Sequence, residues 1–215
     1  MINNLQESEV IRNLNSVVKR HDIINYIIEK YNLVNYLEIG VFKGENIREI
    51  KAPHKDGVDP GAEGYVVPEV NYPITSDEFF KLIEEYDEIK YDVIFIDGLH
   101  HADQVAKDIQ NSLKHLVPNG FILMHDCNPV SYEAQLVPRQ TIAWNGDTWR
   151  AFVQFKIDNP SFKCCVVDTD FGVGFIQNNN SKPIFNEFNI SWNEFEENRK
   201  ELLNLITWDE FKAAH

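Results

Sequence analysis

The feature that most constrains the fold is a regular alternation of short apolar runs with longer amphipathic segments. The run YDVIFI at 91–96 is typical of a strand buried on both faces of a sheet, apart from Asp92. It is followed at 101–116 by a segment in which apolar residues recur every three or four positions, which indicates a helix. Strands that alternate with helices form parallel βαβ units, so we predict a doubly wound α/β sheet in three layers.

The remaining elements follow from the same kinds of pattern. In chain order we predict a helical region at 7–32, a strand ending at Gly40, a helix at 44–52, a strand at 55–60, a helix with Ser76 as N-cap, the strand at 91–96, the helix at 101–116, a strand at 120–126, a helix between the cap Asp147 and Pro160, a hairpin at 162–177 and a terminal helix at 191–214. Asp22 either caps a second helix or marks a break, and 70–74 forms at most a short third strand. The terminal helix is either continuous or broken near Thr207.

This order predicts one domain with decoration at both ends. We assign a helical extension to 1–33, a cofactor-binding core to 34–180 and a helical segment packed on that core to 181–215. The amphipathic N-terminal segment either covers the active site or forms a contact between two copies of the chain. A homo-oligomer is therefore one of the predicted states.

Composition excludes several classes of partner. The formal net charge is −14 with no cluster of Lys or Arg, so nucleic acid is not an expected partner. No apolar run approaches the ~20 residues that a membrane helix needs. The three cysteines, Cys127, Cys164 and Cys165, form no spaced disulfide framework, and the adjacent pair is expected to be buried in a strand. These features predict a cytoplasmic protein.

A glycine-containing turn after the first strand indicates a cofactor site. In LEIGVFKGENI, Gly40 and Gly44 allow the backbone to turn tightly and approach a ligand at the start of the next helix. Asp59 follows Gly40 by nineteen residues, near the spacing of about 20 for an acid that binds ribose hydroxyls. A glycine turn with such an acid predicts a cofactor that contains a nucleoside.

Glu38 distinguishes between two classes of such cofactor. A dinucleotide site favours G-x-G-x-x-G and a pyrophosphate, beside which an acid two residues before Gly40 is unfavourable. The same acid suits a cofactor with a cationic amino-acid end, and the pattern E-x-G-x-x-x-G resembles motif I of class I methyltransferases that use S-adenosylmethionine. The alternatives are a nicotinamide-dependent oxidoreductase and a non-catalytic module that binds the cofactor.

Titratable residues follow two strands that should be neighbours in the sheet. Asp97 follows the strand at 91–96, and His125 and Asp126 follow the next strand, so two carboxylates would face one cleft and could share Mg²⁺. His100 could act as a general base near neutral pH. The ordinary alternatives are that Asp97 caps the following helix and that His125 is only a hydrogen-bonded residue at a strand end.

Five segments together resemble a known family. YLEIGVFKGENI, GVDP, TSDEFF, YDVIFIDGLHHADQVAKDI and GFILMHDCNP look, in this order, like the methyltransferase family that includes macrocin O-methyltransferase, over residues 34–130. The resemblance implies a seven-stranded, mostly parallel sheet with a reversed C-terminal hairpin, and S-adenosylmethionine as cofactor. It also implies that Ser76 and Asp77 lie near the adenine.

The resemblance also implies roles for the residues at the strand ends. In metal-dependent relatives the acid corresponding to Asp97 and acids after the fifth strand bind Mg²⁺, and the histidine corresponding to His100 acts as base. This chain differs by having His125 before Asp126, where those relatives often have two acids. A metal site would therefore be weaker, use His125 or be absent.

The acceptor is expected to be a small molecule. The resemblance favours O-methylation of a sugar or a related metabolite, although the family extends to hydroxylases of antibiotic precursors. Beyond residue 130 the chain has aromatic and cationic residues that either contact this acceptor or have ordinary packing roles: Arg139, Trp144, Trp149 and Arg150. For Trp149 we predict a place in the core.

Overall fold

The computed structural model describes residues 4–61 and 65–215, with side chains from Ser8 onward. Its elements, numbered in chain order, are α1 Asn4–Leu14, α2 Arg20–Tyr31, β1 Asn35–Ile39, α3 Glu45–Glu49, β2 His54–Val58, α4 Ser76–Ile83, β3 Tyr91–Ile96, α5 Ala102–Lys114, β4 Leu116–Met124, a 3₁₀ turn Glu133–Gln135, α6 Thr148–Asp158, β5 Lys163–Val167, β6 Val173–Gln177, α7 Trp192–Leu203, β7 Leu205–Ile206 and α8 Trp208–Ala214. Among the described residues no helix is long and apolar enough to span a bilayer.

The strands form one sheet in the order β2-β1-β3-β4-β6-β5-β7. β1 pairs in parallel with β2 and β3, and β3 pairs in parallel with β4. β6 runs antiparallel to both β4 and β5, and this is the reversed hairpin. The predicted fold class is confirmed, and β1 and β3 lie side by side so that their carboxyl ends meet at one edge.

Apolar side chains cover both faces of the sheet. One buried cluster includes Phe79, Ile109 and Trp149, and the other includes Ile24 and Phe95. Cys164 belongs to the first cluster and Cys165 to the second, because neighbouring residues in a strand point to opposite faces. The two helical layers are therefore held by separate apolar cores, and the adjacent cysteines are buried as predicted.

The N-terminal helical region is interrupted earlier than the sequence suggested. α1 ends at Leu14 and α2 begins at Arg20, with Lys19 at the N-cap position. Asp22 lies in the first turn of α2 and accepts a hydrogen bond of 2.8 Å from the Lys19 backbone N–H. Asp22 is therefore not itself the cap, and Val17, inside the predicted helical region, is 95% exposed in the intervening loop.

The sheet has seven strands, but not the seven that the pattern suggested. The segment 70–74 contributes one isolated parallel bridge, Val58 to Tyr72, because Pro73 lies within it and Pro68 shortly before it, and proline cannot donate to a ladder. The seventh strand is instead β7, which pairs in parallel with β5. It lies at the predicted break in the terminal helix, where Thr207 caps α8.

Three other boundaries differ from the predictions. Thr75, not Ser76, is the N-cap of α4, because its hydroxyl accepts from the Glu78 N–H in a capping box. Asp147 occupies the N-cap position of α6, but its carboxylate accepts from the Ala102 N–H at 2.7 Å and so caps α5. Leu116 begins β4, whereas the sequence pattern placed it at the end of the preceding helix.

Candidate functional site

A cavity of about 520 Å³ lies at the carboxyl ends of β1, β2 and β3. We call it the first cavity. Six of the predicted cofactor residues line it: Glu38, Gly40, Asp59, Ser76, Asp77 and Asp97. Gly44 does not line the cavity but starts α3 as its N-cap residue, with a φ of 77°. The fold thus brings together residues that are spread over 60 positions of the sequence.

Glu38 is a buried carboxylate in the wall of the first cavity. Its Oε2 accepts hydrogen bonds from the Tyr36 hydroxyl at 2.5 Å and from Asn46 Nδ2 at 2.8 Å. Burial raises the pKa of Glu38 to about 7, although both hydrogen bonds oppose that rise. A buried carboxylate without a salt bridge to Lys or Arg suits a ligand that brings its own positive charge.

Gly40 allows the loop after β1 to pass very close to the end of β3. Its φ is 89°, and a Cβ at this position would lie 2.1 Å from the Asp97 carbonyl oxygen. A side chain here is therefore excluded by both conformation and space. The close approach sets Asp97 beside the floor of the first cavity.

Asp59 forms another part of the wall of the first cavity. Its Oδ2 accepts from the Phe42 N–H at 2.7 Å, and its Oδ1 accepts from the Gly61 N–H at 2.7 Å. Each carboxylate oxygen has a second lone pair, so these bonds orient the group and leave acceptors for ribose hydroxyls. The placement agrees with the predicted contact to ribose.

The far end of the first cavity contains Gln104, a polar residue that the sequence did not predict as part of the site. Gln104 Nε2 donates to Asp77 Oδ1 at 2.9 Å and to Asp108 Oδ1 at 3.1 Å, and it lies 3.2 Å from Ser76 Oγ. Asp108 is buried, and burial raises its pKa to about 6. In the sequence, Asp108 is only an acid one residue before an apolar position of α5, and this pattern does not indicate a function.

Asp97, His100 and Asp126 form a compact cluster at the wall of the first cavity, which Asp97 and His100 line, each with a ligand atom within 4.8 Å of the others. His100 Nε2 lies 3.0 Å from Asp97 Oδ1, and His100 Nδ1 lies 3.2 Å from Asp126 Oδ2. Burial alone would lower the pKa of His100, but Asp126 and Asp97 outweigh it and raise the pKa above 6.5. The trio predicted from adjacent strand ends is therefore assembled.

Asp97 is the most strongly constrained acid of the cluster. Burial alone would raise its pKa, but His125, His100 and Arg20 together hold the pKa well below its usual range. Its carboxylate accepts from His100 and does not cap α5, since Asp147 does so. Asp97 is thus charged at any working pH.

His125 lies between the acids and an arginine. Arg20 Nη1 is 2.6 Å from His125 Nε2, while His125 Nδ1 is 3.3 Å from Asp97 Oδ1 and 3.2 Å from Asp126 Oδ2. Burial and the Arg20 guanidinium would lower the pKa of His125, but Asp126 and Asp97 outweigh them and raise the pKa well above its usual value.

Arg20 was not predicted as a site residue. It is the first residue of α2, with Nη1 3.4 Å from Asp170 Oδ2 and Nε 3.8 Å from Asp97 Oδ2. Asp170 lies in the loop of the β5–β6 hairpin. Burial would raise its pKa, but the hydrogen bond and charge of His125, together with Arg20, hold the pKa well below its usual range. No local motif marks Arg20 or Asp170, because only the tertiary fold brings them to the ends of β3 and β4.

A second cavity of about 920 Å³ adjoins the cluster. Its walls include apolar residues from α1, from the segment after β4 and from the hairpin loop: Val10, Leu14, Val130, Ala134, Ile142, Ala143, Trp144 and Phe171. His125 and Asp126 line it, and Arg20 lines both cavities. His100 lines the first cavity and not the second, so a ligand in the second cavity would reach His100 through Asp126.

The aromatic and cationic residues beyond 130 separate into different roles. Trp149 is buried and stacks on Phe195 at 4.1 Å, as predicted for the core. Trp144 lines the second cavity and stacks on His100 at 5.5 Å between ring centroids. Arg139 donates to the backbone carbonyls of Thr141 and Ile142, which orders the segment 139–142.

Arg150 does not line either cavity. Its guanidinium lies 5.7 Å from the centre of the Phe188 ring, and Nη1 is 3.9 Å from Asp147 Oδ2. These contacts join α6 to the segment before α7 and to its own cap residue. Arg150 therefore has a packing role here.

The donor set at the cluster does not suit Mg²⁺ in this arrangement. Mg²⁺ prefers oxygen ligands in nearly octahedral geometry, whereas one of the three ligand groups of the cluster is the His100 imidazole. Asp126 Oδ1 already accepts from Asn145 Nδ2, and Asp97 faces the guanidinium of Arg20. His125, one of the predicted ligands, already has its Nε2 against Arg20 and Asp170 and its Nδ1 against Asp97 and Asp126.

Comparisons with known proteins agree with this geometry. Residues 61–127 match the model of a family described as a methyltransferase domain. No curated protein matches the sequence. A putative caffeoyl-CoA O-methyltransferase from Staphylococcus aureus has a similar structure, with 17% identity, a TM-score of 0.56, and coverage of 82% of this chain and 91% of that chain.

Two further solved structures are similar. An O-methyltransferase from Bacillus cereus in complex with SAH is 16% identical, with a TM-score of 0.51 and coverage of 81% of this chain and 90% of that chain. The O-methyltransferase TomG from Streptomyces achromogenes, in complex with SAM, is 12% identical, with a TM-score of 0.51 and coverage of 81% and 88%. The chain folds as a class I methyltransferase. The methyltransferase fold inferred from the sequence motifs is thereby confirmed.

Proposed function

We propose that the protein is an S-adenosylmethionine-dependent O-methyltransferase that acts on a small-molecule hydroxyl. One observation carries the proposal: a cavity lined by Glu38, Asp59 and Asp97 at the β1, β2 and β3 ends opens beside a histidine–acid cluster that borders a second cavity. The family match over 61–127 and the methyltransferase fold support the same reaction. Nicotinamide-dependent oxidoreduction is less consistent, because Glu38 would face a pyrophosphate.

The residues of the first cavity fit S-adenosylmethionine from end to end. Glu38 accepts the cationic amino-acid end, and Asp59 accepts from the ribose hydroxyls. Gln104, Asp77 and Ser76 offer hydrogen-bonding groups at the opposite end, where the adenine would lie. S-adenosylmethionine supplies a methyl group on a positively charged sulfur, and the negative cluster at Asp97 suits that charge.

The second cavity holds the acceptor. Its mostly apolar wall favours an acceptor with an apolar body beside its reactive hydroxyl, and its polar residues give a place for sugar-like groups. Holding the acceptor oxygen in line with the methyl carbon supplies much of the rate, since the two reactants no longer have to meet by diffusion. Apolar walls also exclude water, which would compete as acceptor.

The cluster receives the acceptor's proton. Asp126 borders the second cavity and lies 3.2 Å from His100 Nδ1, so it can pass a proton from the hydroxyl to that nitrogen. A protonated His100 is stabilised between Asp97 and Asp126, which raise its pKa. The acceptor oxygen bonds to the methyl carbon while the carbon–sulfur bond breaks, and the sulfur becomes a neutral thioether. The predicted base is thus His100, acting through Asp126.

Methyl transfer itself tests this proposal. Purified protein is incubated with S-adenosylmethionine labelled in the methyl group and a panel of phenols, apolar alcohols and sugars, and label in the extracted acceptor is counted. The proposal predicts transfer to at least one hydroxyl acceptor and none to its methyl ether. Binding of the cofactor without transfer to any acceptor would favour a non-catalytic binding module.

A further inference from the structure

Arg20 is the residue whose position the proposed function leaves unexplained. Its side chain is one-quarter exposed, and among the Lys and Arg residues of the described chain it alone lines both cavities. The residues that surround its guanidinium are Asp97, His125 and Asp170. A fixed positive charge therefore lies where the acceptor oxygen and the methyl group would meet.

The position of Arg20 is built into the fold by contacts of its own segment with the β5–β6 hairpin loop. Asp170 Oδ2 accepts from the Arg20 backbone N–H at 3.1 Å. Thr169 Oγ1 donates to the Val18 carbonyl at 2.7 Å, and the Asp170 N–H donates to Ser16 Oγ at 3.2 Å. The loop between α1 and α2 is thus fastened to the hairpin loop at Ser16, at Val18 and at the backbone N–H of the arginine itself.

The charges around the guanidinium explain why a cation is needed there. The carboxylates of Asp97 and Asp170 lie 3.8 Å and 3.4 Å from the guanidinium, and Asp126 lies 3.2 Å from both imidazoles. Three carboxylates so close together repel one another unless a cation lies among them. A bound Mg²⁺ would supply that charge in a metal-dependent enzyme, but here the guanidinium already lies against Asp97 and His125.

We propose that Arg20 occupies the position that a metal ion would otherwise take, and that it orients the acceptor oxygen by its fixed charge. This inference rests on the proposed function. The acceptor's hydroxyl points its oxygen at the guanidinium, and its proton leaves to Asp126 and His100. The negative charge that develops on the oxygen is stabilised by Arg20, so methyl transfer proceeds with no divalent cation.

The proposal also limits the chemical class of the acceptor. The second cavity is lined by three acids, Asp126, Glu133 and Asp170, against Arg20 and His125, so its lining is negative even with a protonated His125. A carboxylate acceptor would be repelled, whereas a neutral hydroxyl becomes negative only as it loses its proton within reach of Arg20. The acceptor is therefore a neutral alcohol or phenol.

Manganese binding tests the position of Arg20 without an acceptor, because free Mn²⁺ is measured directly by electron paramagnetic resonance. Wild-type protein, Arg20→Gln and Arg20→Lys are titrated with Mn²⁺ in the presence of S-adenosylhomocysteine. Arg12→Gln is the control, since Arg12 belongs to the same segment and forms a largely exposed pair with Asp168. Thermal unfolding shows that each variant is folded.

The proposal predicts that Arg20→Gln binds Mn²⁺ about tenfold or more tightly than the wild type, because removal of the guanidinium leaves the acids uncompensated. Arg20→Lys and Arg12→Gln should bind Mn²⁺ as weakly as the wild type. Saturable Mn²⁺ binding by the wild type at micromolar concentration would overturn the proposal, and so would Arg20→Gln that binds no better.

If Arg20→Gln does not fold, the titration of the wild type with Mn²⁺ is sufficient as a test. Weak Mn²⁺ binding supports the proposal, and tight Mn²⁺ binding overturns it. S-adenosylhomocysteine binding is measured in the same samples by calorimetry. Failure of the folded wild type to bind it would contradict the proposed function, whereas binding of it together with tight Mn²⁺ binding would contradict only the role of Arg20.

Discussion

His100 and Asp126 face each other across the ends of β3 and β4, with Nδ1 of the imidazole 3.2 Å from Oδ2 of the carboxylate. Both residues have left-handed backbone conformations, with φ of 60° and 59°. Such conformations cost energy in residues other than glycine and are concentrated at functional sites. These two backbone conformations place His100 and Asp126 between the two cavities as a pair that can accept a proton. This placement is the geometric basis of the proposed mechanism.

Replacement of His100 should separate catalysis from cofactor binding. His100→Ala removes the group that holds the acceptor's proton, so we expect turnover to fall by about 10²- to 10⁴-fold while S-adenosylhomocysteine still binds. Initial rates with labelled S-adenosylmethionine and calorimetry measure the two effects. His54→Ala is the matched control, since His54 lies at the start of β2, the opposite edge of the sheet from the site. Unchanged turnover in His100→Ala would rule out the proton-holding role.

The dependence of rate on pH should report the same histidine. His100 accepts a proton only when neutral, and its pKa is raised above 6.5 by Asp126 and Asp97. The rate should therefore be low in acid, rise with pH and level off only above 6.5. With S-adenosylmethionine kept saturating, so that the titration of Glu38 does not alter cofactor occupancy, the profile of His54→Ala should be the same and that of His100→Ala should lack this rise. A wild-type rate already at its maximum near pH 6 would contradict this assignment, since an unperturbed histidine there is mostly protonated.

Glu38→Gln should weaken cofactor binding and stabilise the free protein. The folded-state pKa of Glu38 is raised from 4.5 to about 7, so the free protein loses stability as pH rises through that range and the buried carboxylate becomes charged. At pH 8 the neutral amide should raise the free energy of unfolding by on the order of 1 to 3 kcal/mol. Urea unfolding without ligand measures this.

The same substitution removes the negative charge for the cationic end of the cofactor. We expect affinity for S-adenosylhomocysteine to fall at least about tenfold at pH 8, where Glu38 is charged, and to differ less at pH 6. Glu69→Gln is a control, because Glu69 is paired with Arg48 on the surface. If Glu38→Gln and the wild type bind S-adenosylhomocysteine with equal affinity at pH 8, the cationic end of the cofactor does not bind at Glu38.

Gly40→Ala should damage both the fold and the site. The new Cβ would lie 2.1 Å from the Asp97 carbonyl oxygen at a φ of 89°, so the strand ends must separate. We expect a loss of roughly 1 to 3 kcal/mol in unfolding free energy, together with weaker cofactor binding. Gly98→Ala is the control in the same contact region, because its Cβ would come no closer than 3.6 Å to Ile39. Equal stability of the two variants would mean that the close approach is not required.

The sequence predicted those parts of the fold that are encoded locally. The apolar run at 91–96 predicted a central strand, and the spacing of Gly40 and Asp59 predicted one wall of the first cavity. Both predictions were possible because each pattern lies within a short segment. The segment 70–74 was ambiguous for the same reason, since its prolines weaken a ladder that only the neighbouring strand could complete. The N-cap of α4 was misplaced by one position, because Thr75 and Ser76 are equally suitable caps.

The site was predicted less completely than the fold. Asp97, His100 and Asp126 could be placed together, because residues that follow adjacent parallel strands meet at one edge of the sheet. Arg20 and Asp170 could not be predicted, since one lies in the N-terminal extension and the other in the hairpin loop. Arg20 and Asp170 come into contact because of how the loop between α1 and α2 packs, and the spacing of residues in the sequence does not predict this packing.

Calorimetric titration of the purified protein with S-adenosylhomocysteine tests the central claim most directly, with nicotinamide adenine dinucleotide as the comparison ligand. Saturable binding of S-adenosylhomocysteine at micromolar concentration, with no binding of the dinucleotide, is the predicted result. If folded protein binds the dinucleotide and not S-adenosylhomocysteine, the first cavity does not hold a methyl donor and the proposed methyltransferase activity is wrong.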